Sequence, residues 1–308
     1  MHANILQEEE GLTYQESLEH FLEVWVSFLC GWTVHDPSKD SMTLDPTYKA
    51  LLTQPLLEVF NAYIQSKISA PRGWRVAKDE DSDEIVEIEE DDRVAYADEL
   101  QGIGYISRTL ADHTIPILIN LFDQCTSECM QLLVMIKQDA QVLNSPQNNL
   151  DSLYEDLHWL TMIAGYTLCQ VERGRVVEYI PSEIMQYSIA KHKVMKSVEN
   201  GSSSSLVPGA GTGRNEAAAF LQGEGGSAVV DVSSMDPVVA LVLSVCRVCN
   251  LEKAFISNGL IDVLSPQLCE TVAWCLAQLV TPYLMLDENC YQEVCYVPKF
   301  LPRAHVQG

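Results

Sequence analysis

Apolar side chains recur at steps of three and four along almost the whole chain, and this spacing restricts the fold more than any other feature. Leu18, Phe21, Leu22, Trp25, Phe28, Leu29 and Trp32 all fall on one face of a helix turning every 3.6 residues. That face is expected to be buried. A second stripe follows Asp45, a residue suited to cap a helix that opens at Pro46, and runs through Leu52, Leu56, Val59, Phe60, Tyr63 and Ile64. Pro55 is expected to kink or split this helix, because it lacks the amide hydrogen. No segment alternates with period two between hairpin turns. The pattern specifies an all-α fold.

Further stripes continue it. One helix is expected from about Asp92, through Tyr96, Leu100, Ile103 and Leu110. Another begins near Pro116 and carries Leu118, Leu121, Phe122, Cys125, Cys129, Leu132 and Ile136. The short His113-Thr114 step between them predicts an antiparallel pair. Leu153, Leu157, Leu160, Ala164 and Leu168 mark a helix from Asp151, and a shorter one opens at Pro181. Val238, Leu241, Val242, Val245 and Cys249 mark the next, and the last starts at Ser265-Pro266 with Leu268, Val272, Cys275, Leu276 and Leu279. Helix pairs without an exact period point to a HEAT-type α-solenoid, although a multi-helix globule gives similar stripes.

Two stretches break the pattern. Residues 79–92 hold ten carboxylates: Asp79, Glu80, Asp81, Asp83, Glu84, Glu87, Glu89, Glu90, Asp91 and Asp92. Residues 199–235 are rich in Gly and Ser. Both are expected to be exposed, which divides the chain into helical repeats over 1–198, a flexible insertion over 199–235 and further repeats over 236–308.

Charge narrows the function. With 19 Lys and Arg against 43 Asp and Glu, the formal net charge is -24. Such a chain repels phosphate backbones and anionic lipid, so nucleic acid and membranes are not its expected partners. No window reaches the ~18 consecutive apolar residues of a membrane span, and Glu8, Glu9 and Glu10 stand where a signal peptide would be apolar. The expected setting is soluble and intracellular, with the ten cysteines reduced.

The acidic run is the one candidate binding segment. Ten clustered carboxylates attract a basic surface, and the alternative is a solvated loop that keeps the protein soluble. Other motifs are weaker. Cys246 and Cys249 have CxxC spacing, but no second ligand pair accompanies them, so they read as small core residues, as do Cys125 and Cys129. Glu155 and His158 stand three apart on one helix, which suits a surface pair as well as an acid–base or metal fragment. Gly209 to Gly213 lacks the Gly-Lys-Ser/Thr ending of a phosphate loop, and Asn200-Gly201-Ser202 is a chance glycosylation sequon in an intracellular chain. No catalytic, metal-ligating or cofactor-binding residue is assigned.

Several strings resemble the exportin branch of the importin-β (karyopherin-β) superfamily. They are Val59-Phe60-Asn61-Ala62-Tyr63-Ile64-Gln65, Glu90-Asp91-Asp92-Arg93, Leu153-Tyr154-Glu155-Asp156-Leu157-His158-Trp159-Leu160 with Gly165-Tyr166, Ile180 to Ser188, Leu264-Ser265-Pro266-Gln267 and Tyr283 to Glu288. They occur in the family's order over about residues 50–290. The resemblance implies a HEAT-repeat superhelix that is not an enzyme. It implies export of protein cargo with Ran-GTP past the FG-repeat proteins of the nuclear pore, and shuttling between nucleus and cytoplasm. Cargo of this kind includes the hypusine-bearing translation factor. The resemblance also implies the middle of a longer receptor, with Ran gripped largely by regions outside this chain.

Overall fold

The computed structural model describes residues 2–31, 33–36, 41–75, 91–145, 149–171, 179–201 and 235–285. The fold is all-α. In chain order its helices are α1 (His2–Gly31), α2 (Pro46–Lys67), α3 (Asp92–Ala95), α4 (Ala97–Thr109), α5 (Ala111–Gln138), α6 (Leu150–Leu168), α7 (Ser182–Gly201), α8 (Pro237–Ser257) and α9 (Pro266–Leu279). A small antiparallel hairpin, β1 (Thr33–Asp36) and β2 (Ser41–Leu44), pairs Thr33 with Leu44 and Asp36 with Ser41. Its four-residue strands are too short to show a period of two.

Three helix starts share one local device, a polar cap followed by proline. Asp45 accepts from Thr47 N at 2.8 Å, Asp236 from Val238 N at 2.8 Å, and Ser265 from Leu268 N at 3.2 Å. In each case proline fills the first helical position, where its missing N–H costs nothing. Pro55 does not split α2, which runs as one element to Lys67.

The segment 92–138 divides differently from expectation. Tyr96 (φ -108°, ψ 18°) separates α3 from α4, and Leu110 (φ -112°, ψ 33°) ends α4. Helix α5 therefore begins at Ala111 and takes His113, Thr114 and Pro116 into its first turns. Thr114 explains the junction: its hydroxyl donates to Ser107 O at 2.8 Å and to Leu110 O at 3.1 Å, binding the end of one helix to the start of the next. The proline deprives only the carbonyl of Asp112, an exposed residue.

Helix α6 is the centre. Helices α4, α5 and α9 lie along it, with α2 and α8 completing its surroundings. From Asp156 to Leu168 every residue of α6 is buried, polar ones included. Helix α8 also packs on α5, and α7 on both α5 and α8, so the helices on either side of residues 202–234 share one apolar core. No described helix is long and apolar enough to cross a membrane.

Helix α1 departs from expectation. Leu22 and Leu29 are buried, Leu18 and Trp25 partly so, but Phe21 and Phe28 are 47% and 49% exposed. The reason is geometric: α4 is the main element packed against α1, and one neighbour covers only part of a broad apolar face. Trp32 lies outside the described residues.

Candidate partner-binding segment and the polar clusters that frame it

Of the ten acidic-run carboxylates, Asp79 to Glu90 lie outside the described residues. Asp91 and Asp92 stand at the start of α3. Asp91 caps that helix by accepting from Arg93 N at 2.9 Å, and its carboxylate also accepts from Arg93 Nε at 2.7 Å. The adjacent guanidinium holds the Asp91 carboxyl below the ordinary carboxylate range.

Asp92 reaches α6. Its Oδ2 lies 3.1 Å from His158 Nε2 and accepts from Gln267 Nε2 at 2.8 Å. The other face of the imidazole meets Thr271, with Nδ1 2.8 Å from Oγ1. Because the Thr271 hydroxyl donates to Gln267 O at 2.9 Å, it receives its hydrogen bond from Nδ1–H. Both ring nitrogens are thus engaged by α3 and α9. Glu155, the expected companion of His158, instead accepts from Trp159 Nε1 at 2.8 Å, one residue further along the helix.

The last described residues before the acidic run, Ser69 to Arg75, are also fixed to α6. Asp156, fully buried, accepts from Arg75 Nη2, Arg72 Nη2, Ser69 N and Ser69 Oγ, each at 2.8 Å. Arg72 also donates to Glu128 at 2.9 Å, and Arg75 to the carbonyls of Lys67 and Ser152 at 3.0 and 3.1 Å. Four charge-assisted or polar donors are what a carboxylate needs in an apolar interior. The chain therefore leaves α6 at Arg75, carries residues 76–90, and returns to α6 at Asp92, with anchors only two residues apart at Asp156 and His158.

Sequence reasoning missed this frame. Arg72 and Asp156 are 84 residues apart, so no local spacing links them; the only signal is a buried-helix position occupied by Asp.

The thiols carry no reactive arrangement among the described residues. Cys125 and Cys129 are buried, and desolvation pushes each thiol up to about 12. Cys246 and Cys249 lie half-buried on α8; burial raises both, Cys249 to about 11. A CxxC site that works as a nucleophile or metal clamp needs the opposite shift. The described residues contain no group of three His, Cys, Asp or Glu placed to hold a metal ion. Asn200 lies in α7, and Gly209 to Gly213 lie outside the described residues.

No family model matches the chain.

Proposed function

We propose that this chain belongs to a nuclear export receptor most similar to exportin-4. In this reading its helices form part of a HEAT-repeat superhelix that binds protein cargo together with Ran-GTP. Contacts with Ran lie largely in regions outside this chain, pore passage runs over FG-repeat proteins, and the hypusine-bearing translation factor is a cargo. It is a binding protein, with no reaction of its own.

The observation that carries the reading is the joint placement of its strings. Asp92, His158 and Gln267 come from three strings far apart in sequence, and they meet in one hydrogen-bonded cluster. The same cluster holds Asp92 against the central helix, and Asp156 holds Arg72 and Arg75, the described residues on either side of 76–90. That tether lowers the entropy lost when Asp79 to Glu90 engage a basic partner.

The test is complex formation with purified components. A receptor that contains this chain together with the regions that grip Ran should co-elute with the hypusine-bearing factor and Ran loaded with a non-hydrolysable GTP analogue, and not with Ran-GDP. Replacing residues 79–90 with a neutral linker should weaken the complex and flatten its dependence on salt. Cargo binding indifferent to the nucleotide on Ran would favour a helical scaffold with no part in transport. Unchanged affinity at every salt concentration would remove the role given to the acidic run.

A further inference from the structure

Lys67, the last residue of α2, is folded inward. Its side chain is only 15% exposed. The ammonium stands 4.0 Å from the ring centre of Tyr96, 4.2 Å from that of Trp159 and 5.3 Å from that of Tyr63. The carboxylate nearest the ammonium among the described ion pairs is Glu99, whose Oε2 lies 3.5 Å from Lys67 Nζ and accepts no hydrogen bond among the described residues. Glu99 itself is 1% exposed.

These groups come from separate elements. Tyr63 and Lys67 sit on α2, Tyr96 at the α3–α4 junction, Glu99 on α4 and Trp159 on α6. Two of the walls are braced. Trp159 is fixed by its indole bond to Glu155, and Tyr96 packs edge-on to Trp159 with ring centres 5.2 Å apart. Three ring faces and one buried anion are the composition that recognises an organic ammonium, and a buried carboxylate without a cation is strongly disfavoured.

We infer that the Tyr63–Tyr96–Trp159–Glu99 box is a binding site for a primary alkylammonium group, occupied in this protein by its own Lys67, and that this occupancy latches the end of α2 to α4 and α6. The consequence reaches the acidic run. The carbonyl of Lys67 accepts from Arg75 Nε at 3.0 Å, so the latch and the Asp156 cluster hold the same short segment, residues 67–75, from both sides. Burial lowers the Lys67 pKa, while Glu99 opposes that shift. Removing the charge, by substitution or by acylation of the amine, breaks the recognition without removing the aliphatic stem.

The experiment uses the full chain. Lys67→Met keeps the length and apolar volume and removes the charge. It should lower the melting temperature by about 2–4 °C and speed hydrogen exchange in residues 64–75 roughly tenfold. Lys67→Ala empties the box. n-Propylammonium, which replaces the missing atoms, should restore its melting temperature and exchange protection, whereas 1-propanol and sodium chloride at equal concentration should not. If Lys67→Met melts and exchanges as the parent does, or if propanol restores Lys67→Ala as well as the ammonium, the box is ordinary packing and the inference fails. Should Lys67→Ala not fold, the comparison of Lys67→Met with the parent decides alone.

Discussion

Gly104 and Tyr166 meet backbone to backbone: a methyl group on the glycine would lie 2.5 Å from the Tyr166 carbonyl oxygen. That oxygen cannot retreat freely, because it also accepts from the buried guanidinium of Arg108. Close contact between α4 and the central helix thus depends on a missing side chain. Gly104→Ala should cost about 1–3 kcal/mol in urea denaturation. Gly165→Ala meets side chains rather than backbone, the tip of the half-buried Trp274 ring at 2.8 Å and Cys275 Sγ at 3.3 Å. It should cost less, and the reverse order would refute this account of the α4–α6 contact.

Asp156→Ala should be among the most damaging single substitutions. It removes the buried carboxylate from Arg75 and leaves Arg72 only the partly exposed Glu128, and breaking a buried pair in this way typically costs about 3–5 kcal/mol. The midpoint of urea unfolding reads this directly. A loss below about 1 kcal/mol would mean that the two guanidinium groups find water or another acceptor.

The buried thiols make stability fall on the alkaline side. Cys125, Cys129 and Cys169 are pushed up to about 12 from an ordinary 9.0. Between these values the unfolded chain loses protons that the folded chain keeps. Their contribution is fully present below pH 9 and is lost as pH rises toward 12. Urea midpoints measured at pH 8 and pH 10.5 should show the decline, and equal midpoints would contradict it.

Thiol labelling at pH 8 should also separate the cysteines by burial. Cys30 is exposed and should react in the native protein, whereas Cys125, Cys129, Cys169 and Cys275 are buried and should react only on unfolding. Mass spectrometry of the labelled peptides tells the two groups apart.

Helix α1 offers a test of partial coverage. Leu22→Ala should cost about 2–5 kcal/mol, as for a filled core site, and Phe21→Ala less than about 1 kcal/mol, because the ring keeps 47% of its exposure. Equal losses would mean that Phe21 is covered by something in solution.

Much of the fold was legible because its causes are local. Asp45-Pro46 and Ser265-Pro266 announce helix starts through bonds spanning two or three residues. Leu153, Leu157, Leu160 and Leu168 mark a buried stripe through helical periodicity alone, and all are fully buried. The same logic placed Cys125 and Cys129 in the core. It failed at Leu110, where the helix end depends on a threonine hydroxyl reaching back seven residues to Ser107, and at Pro116, which a helix tolerates near its start. It failed again for Glu155 and His158, whose spacing suggested each other while their partners lie at Trp159, Asp92 and Thr271.

Periodicity and capping are properties of short windows, so residue order alone settled the helical class, most helix positions and the acidic character of the surface. Packing settles the rest, since it sums contacts between segments that share no window. It placed α6 at the centre, uncovered Phe21 and Phe28, and gave Asp156 and His158 partners 66 to 113 residues away. It also enclosed Lys67, an ordinary helix-terminal lysine by sequence, because three rings and a carboxylate from different helices converge on one ammonium.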